Sequence, residues 1–172
     1  MIRTDADAVE PVATRHGTLY VRPEAAADEA FLFALHESVK GPELALLPVP
    51  GPMRRQLLEM QFRAMTMSYR SSFPAGRFEI ITLDEAPIGR LITDDSRGGL
   101  HIAYIALLPE WRNRGIGTEL MTSVLDKPRR LGSICEAIVA VDNQASLLLW
   151  SRLGFVERGR DDANIVLELR PP

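Results

Sequence analysis

A chain of 172 residues with 46% hydrophobic and 25% charged side chains is long enough to close a hydrophobic core and has the composition of an ordinary globular protein. Its net charge of −3 argues against duplex nucleic acid as a partner, because phosphate binding needs a basic surface. The single cysteine, Cys135, excludes an internal disulfide and a cysteine-rich zinc site and reads as a core residue at a strand start. No apolar signal segment follows Met1, and no apolar run approaches the ~20 residues that cross a bilayer. The expected setting is therefore cytoplasmic, with no membrane partner.

Residues 1–16 are polar and aperiodic and are expected to form a flexible tail before a single domain over 17–172. Thr18–Arg22 alternates β-formers and stops at Pro23, which predicts a short strand. A helix is expected from Pro23-Glu24 to Val39, with Phe31, Leu32, Leu35 and Val39 on one stripe. Four prolines and two glycines within Gly41–Pro52 predict an irregular segment, either a connector or a lid. Met53–Ser71 reads as a second helix. Leu57, Leu58, Met65 and Tyr69 share one face, and Met60, Phe62 and Met67 widen it, as for a helix buried on two sides or lining a pocket.

Three strands follow, Arg77–Leu83, Ile88–Asp94 and Gly99–Leu107, and their short turns predict an antiparallel meander. A helix begins at Ile116, with Leu120, Met121, Val124 and Leu125 on its apolar face. Pro128 is expected to kink or end it. Ala137–Val141 is a continuous apolar run, expected to be a strand buried on both faces and parallel to Gly99–Leu107 after the helical crossover. Asn143–Leu153 reads as a helix ended by Gly154. Phe155–Arg160 and Ile165–Arg170 read as a closing hairpin across Gly159–Ala163. The fold class is α/β, a mixed and mostly antiparallel sheet with helices on both faces.

Ile105–Met121 carries the chemistry. Its order of strand, basic glycine loop and helix start builds an anion site, because glycines let the backbone approach a ligand and a helix start offers unpaired N–H donors. A P-loop requires a lysine that is absent here. A dinucleotide fingerprint requires a third glycine where Leu120 stands. The remaining pattern, [Arg/Gln]-x-x-Gly-x-[Gly/Ala], is met by Arg112-Asn113-Arg114-Gly115-Ile116-Gly117.

With the preceding Leu107-Leu108-Pro109-Glu110, the following Ala137–Val141 and Asn143, and the ending Leu153-Gly154-Phe155, the segment from about Phe78 to Phe155 resembles the GNAT acyltransferase superfamily. Gln56–Phe62 resembles the N-terminal helices of a bacterial subgroup of unknown substrate. The resemblance implies a twisted sheet of about seven strands with a splayed parallel pair. It also implies acetyl-CoA as co-substrate, no metal, and N-acetyl transfer to a primary amine of a small molecule or peptide. Backbone amides of Asn113, Arg114, Gly115, Ile116, Gly117 and Thr118, in the motif opened by Arg112, would hold the pyrophosphate. Ile105, Ala106 and Leu107 would line the pantetheine, and an amide near Leu107 would hold the developing oxyanion. Asn143 would contact the cofactor while also capping its helix. A homodimer through the C-terminal strands is expected on the same ground.

His101 stands eleven residues before Arg112, where some family members carry a glutamate base, and is the expected catalytic base. Tyr104 is the second expected catalytic residue, with Glu79 beside it to bind substrate or order water. The departure is Trp150, seven residues after Asn143, where the family often has a tyrosine acid. An indole N–H donates a hydrogen bond and cannot act as an acid. Two other readings therefore stand beside the enzyme: a CoA-binding sensor or interaction module with weak or no activity, and a nucleotide-binding protein.

Overall fold

The computed structural model describes residues 9–171. Its frame is an eight-stranded sheet, formed by β1 (Val12–Thr14), β2 (Gly17–Pro23), β3 (Arg77–Leu83), β4 (Ala86–Asp94), β5 (Leu100–Leu107), β6 (Cys135–Ala140), β7 (Val156–Arg160) and β8 (Asn164–Leu169). The strand order is β1-β2-β3-β4-β5-β6-β8-β7, and β5–β6 is its parallel pair. The helices are α1 (Glu29–Ala45), α2 (Gly51–Ser72), α3 (Ile116–Arg130) and α4 (Gln144–Arg152). The expected meander is β3-β4-β5, antiparallel throughout.

The main core lies between the sheet and α3, where Ile116, Leu120, Met121 and Leu125 are fully buried against Leu91, Ile102 and Ala137. Each such side chain contributes about 1.5–3 kcal/mol of burial. A smaller cluster of Leu32, Phe62 and Ile80 fixes α1 and α2 on the opposite face. No helix among the described residues is long and apolar enough to cross a membrane.

Several expectations change. The polar stretch 1–16 contains strand β1: Val12–Thr14 pairs with Gly17–Leu19 across a tight turn, and Thr14 Oγ1 donates to the Gly17 carbonyl at 2.8 Å. Tertiary pairing overrides the missing local pattern there, and residues 1–8 lie outside the described residues. The sheet thus has eight strands rather than about seven.

The helix expected to stop at Val39 runs on through Pro42 to Ala45 because Leu44 is buried. Arg54 of α2 donates from Nε to the Leu44 carbonyl at 3.1 Å and also reaches the Val49 carbonyl. One bond reaches the last turn of α1 and the other the connector itself, so the proline-rich segment is a pinned connector rather than a free lid. Pro128 likewise lies inside α3 without ending it.

α2 is narrower in its contacts than its sequence suggests. Leu58 and Phe62 are buried, whereas Met60 and Met67 are 60% and 73% exposed. β6 is buried on one face only: Ala137 and Val139 point into the core, and Ile138 is 48% exposed. The open face of β6 belongs to the cleft described next.

Candidate active site

The parallel ladder between β5 and β6 pairs Leu100 with Cys135, His101 with Glu136 and Ile102 with Ala137, and there it ends. β6 continues along β8 as far as Ala140–Asn164, and β5 continues along β4 as far as Leu107–Gly89. The two strands therefore part as they leave the ladder. The Leu108 amide is bonded to the Ile88 carbonyl at 2.8 Å. Alternation along an antiparallel strand then turns the amides of Leu107 and Ile105 toward the edge that β6 has left. A cleft of about 960 Å³ fills this gap and extends to α1 and α2.

The glycine loop closes one end of the cleft. Leu108–Arg112 forms a short turn, with Trp111 and Arg112 amides bonded to the Leu108 and Pro109 carbonyls. Asn113 at φ 58° and Gly115 at φ 86° then reverse the chain into α3. The first helical bond runs from the Glu119 amide to the Gly115 carbonyl at 2.9 Å. The amides of Ile116, Gly117 and Thr118 precede it and have no acceptor within the helix. With the positive end of the α3 dipole behind them, they form an anion cradle. The side chain of Ile116 is buried in the core at 1% exposure and anchors the cradle.

Tyr104, Ile105, Ala106, Leu107, Arg112, Asn113, Gly115, Gly117, Thr118 and Asn143 all line the cleft. Arg112 is exposed but tied to the protein: Nε donates to the Leu107 carbonyl at 2.7 Å, and a terminal nitrogen donates to Ser38 Oγ at 3.1 Å. It braces α1 against the end of β5. Asn143 Oδ1 accepts from the Ser146 amide at 3.1 Å as the cap of α4. Arg114 lies off the wall, its guanidinium 5.2 Å from the Trp111 ring centroid and its carbonyl accepting from Arg15.

His101 also stands off the cleft wall. Its Nδ1 lies 3.1 Å from Glu136 Oε1, and its ring stacks on Phe73 with centroids 5.2 Å apart. Glu79 is buried on β3 in register with Pro23 and Leu91 and is likewise not part of the wall. Tyr104 meets Tyr69 of α2 edge-to-face at 5.6 Å, and both line the cleft. Burial pushes the Tyr104 phenol up to about 12, with a smaller upward push from Tyr69, while Arg90 and Arg112 oppose it. Burial also raises Tyr69.

Trp150 is 2% exposed, lines the cleft and packs on Phe155 with centroids 5.0 Å apart. Cys135 is fully buried in the core, which pushes its thiol up. Among the described residues no cluster of His, Cys, Asp or Glu side chains is placed to hold a metal ion.

Sequence reading missed Val39 and Lys40, which form part of the cleft wall. The expected end of α1 at Val39 placed Lys40 outside any element. It also missed Arg90, which is 2% exposed on β4, donates from Nε to Glu24 Oε1 at 2.6 Å and lies 5.9 Å from the Tyr104 ring centroid. A charged residue flanked by Gly89 and Leu91 in an apolar strand was the available signal.

Residues 52–155 match the model of the Acetyltransferase (GNAT) family. No curated protein matches the chain. Among solved structures it is similar to the PaiA N-acetyltransferase from Thermoplasma acidophilum in complex with coenzyme A, at 16% identity and a TM-score of 0.65, covering 88% of this chain and 98% of that one. It is also similar to RimJ from Mycobacterium smegmatis in complex with CoA-disulfide, at 18% identity and a TM-score of 0.64, covering 95% and 87%. A third is RimL, a ribosomal L7/L12 alpha-N-protein acetyltransferase in complex with coenzyme A, at 14% identity and a TM-score of 0.63, covering 94% and 98%. These likenesses agree in fold, and with the family model matched over more than half of its length the chain belongs to the GNAT acetyltransferase family.

Proposed function

We propose that this chain is an acetyl-CoA-dependent N-acetyltransferase that acts on a primary amine of a small molecule or peptide by direct attack on the thioester. The carrying observation is the ending of the β5–β6 ladder at Ile102–Ala137 beside a loop whose helix-start amides are unspent. Solved relatives of the same fold hold coenzyme A, and the donor set here suits it: backbone amides for a pyrophosphate and an open strand edge for an amide-bearing arm.

In this reading the amides of Asn113–Thr118 bind the pyrophosphate, and Asn143 presents its amide nitrogen while its Oδ1 caps α4. Ile105, Ala106 and Leu107 offer backbone groups to the pantetheine. When bound, acetyl-CoA supplies the thioester carbonyl as electrophile. The Leu107 amide is aimed where negative charge develops on that carbonyl oxygen, and its direction is fixed in advance by the β4–β5 pairing. Tyr104, held protonated by burial, keeps a proton at its phenol oxygen for the departing sulfur.

No Asp, Glu or His lies among the described residues of the cleft wall, so the acceptor amine loses its proton to water. His101 and Glu136 serve the frame rather than the proton transfer. Trp150 alone favours the reading of a CoA-binding module without turnover, because an indole is no acid. Two phenols on the same wall answer that objection.

Release of free thiol from acetyl-CoA with a panel of primary amines tests the proposal, and turnover well above the amine-free background is expected. Confirmed CoA binding with no turnover on any amine would leave the binding module. Displacement of CoA by ATP or NAD would favour the nucleotide-binding reading.

A further inference from the structure

The charged side chains on the cleft wall, among the described residues, are Lys40, Arg112 and Arg152. All three are cationic, and they play different parts. Arg112 is spent on Leu107 and Ser38. Arg152 ends α4, on the side of Asn143 and β6 where the donor would lie. Lys40 of α1 lines the same cleft as Tyr69 of α2, two residues beyond the Ser38 that Arg112 holds. It pairs with Glu43 at 3.1 Å, with side-chain exposures of 44% and 67%. Such an exposed pair is readily exchanged for a ligand carboxylate.

Behind this wall stands a second positive group. Arg90 is buried, and its two terminal nitrogens have no hydrogen-bond partner among the described residues. Its Nε is held by Glu24, which also accepts from Arg70 at 3.0 Å. Arg90 and Arg70 thus both bond to Glu24, and the buried Arg90 guanidinium lies beside the Tyr104 ring. Its charge acts on anything bound against that phenol.

We propose that the acceptor is an amine carrying a carboxylate, and that Lys40 binds that carboxylate. A polyamine or a lysine-rich peptide would bring positive charge to a wall whose charged side chains, among the described residues, are all cationic. An amino acid, or a peptide with an acidic residue at its N-terminus, supplies the missing sign. The inference rests on the acetyltransferase reading above.

Steady-state kinetics on wild type, Lys40→Ala and Lys40→Arg decide it. The acceptors are L-amino acids against their amides, a tetrapeptide beginning with Glu against one beginning with Gln, and spermidine. Carboxylate-bearing acceptors are expected to exceed their neutral counterparts at least tenfold in kcat/KM. An amino-acid amide is the less basic amine, so amine ionisation works against this result rather than producing it. Lys40→Ala should raise KM for the carboxylate acceptors about tenfold, with KM for acetyl-CoA within twofold, and Lys40→Arg should restore most of the loss. The free amino acid and the acidic peptide separate the two sources of the carboxylate. Preference for amides or spermidine, or a rise in the acetyl-CoA KM alone on Lys40→Ala, overturns the proposal while leaving the acetyltransferase reading intact. No thiol release above the amine-free background with any acceptor overturns both.

Discussion

Ile102 and Ala137 form the last rung between the two parallel strands, and the rest of the site follows from that stop. Up to this rung the backbone of β5 is shared with β4 and β6, and beyond it with β4 alone. Unpaired strand amides are a liability in a core, and here they line a cleft whose far end is a glycine loop. The arrangement suits an extended ligand that ends in an anion. It also explains the exposed Ile138, an apolar side chain on the face of β6 that the parting uncovers.

Gly89 is the closest backbone contact on this frame. A Cβ there would fall within van der Waals distance of the Ala106 carbonyl oxygen and 2.6 Å from Leu107 Cδ2. Gly89→Ala must push the end of β5 away from β4, at about 1–3 kcal/mol. The expected outcome is a Tm lower by ~3–10 °C, with a loss of kcat larger than the loss of acetyl-CoA affinity, because the Leu107 amide is displaced. Thermal melts and initial rates measured together check this.

Gly115 serves conformation rather than space. At φ +86° its nearest neighbour for a Cβ is Glu119 Oε1 at 3.5 Å, so Gly115→Val meets little steric resistance but occupies a left-handed position at ~1–2 kcal/mol. The loop relieves that strain by turning its amides. CoA affinity should fall at least tenfold while the circular dichroism spectrum is retained. Isothermal titration with CoA reads the loss, and unchanged affinity would separate the loop from the anion.

His101 and Tyr104 part company in their expected effects. His101→Ala removes the Phe73 stack and the Glu136 partner, costing about 1 kcal/mol of stability, and should leave the pH–rate profile unshifted. Tyr104→Phe should lower kcat about 10²-fold with KM for acetyl-CoA unchanged. Reversal of these two results would return the proton transfer to His101.

The buried phenols also set an alkaline limit. The folded Tyr104 holds its proton up to about 12, whereas the unfolded residue loses it near pH 10. Below pH 10 the two states bind the same proton and the group adds no pH dependence. Above it the unfolded state is drawn down by deprotonation, so stability falls as pH rises from about 10 to 12. Denaturant melts across this range should show a loss that is reduced in Tyr104→Phe.

The acid side has its own marker in Asp28. Hydrogen bonds from Arg22 at 2.7 and 2.8 Å, together with the Ala25 amide, hold its carboxyl down at about 2. The folded value lies below the unfolded one, so this stabilisation is present above pH 4 and disappears as pH falls toward 2. Because Arg22 is half-exposed, its magnitude is about 1–2 kcal/mol. Asp28→Asn should cost that amount at pH 7 and much less at pH 2, measured by urea melts.

The legible parts of the sequence were those where local chemistry and tertiary structure agree. Asn113 and Gly115 occupy positive φ in a loop marked by its composition, and the apolar spacing of Ile116–Leu125 matches the face of α3 that is buried. The meander was readable because Asp-rich turns separate strong β-formers. What stayed hidden depends on partners distant in sequence. Val12–Thr14 is a strand only because β2 is beside it, and α1 passes Pro42 because Leu44 has a place in the core and Arg54 holds the Leu44 carbonyl. The methionines of α2 gave an apolar face wider than the one that packs. Along the cleft wall, Ile105–Leu107 stand where the end of β5 places them. Lys40 joined the wall through a helix that outran its expected end, and His101 left the wall for Glu136 and Phe73.

The central claim is that the gap between β5 and β6 is a coenzyme A site. A crystal structure of the protein with acetyl-CoA tests it most directly. The pantetheine arm is expected along Ile105–Leu107, the thioester oxygen within hydrogen-bond reach of the Leu107 amide, and the pyrophosphate on the amides of Asn113–Thr118. Acetyl-CoA ordered elsewhere on the protein, with the gap closed by side chains, would contradict it.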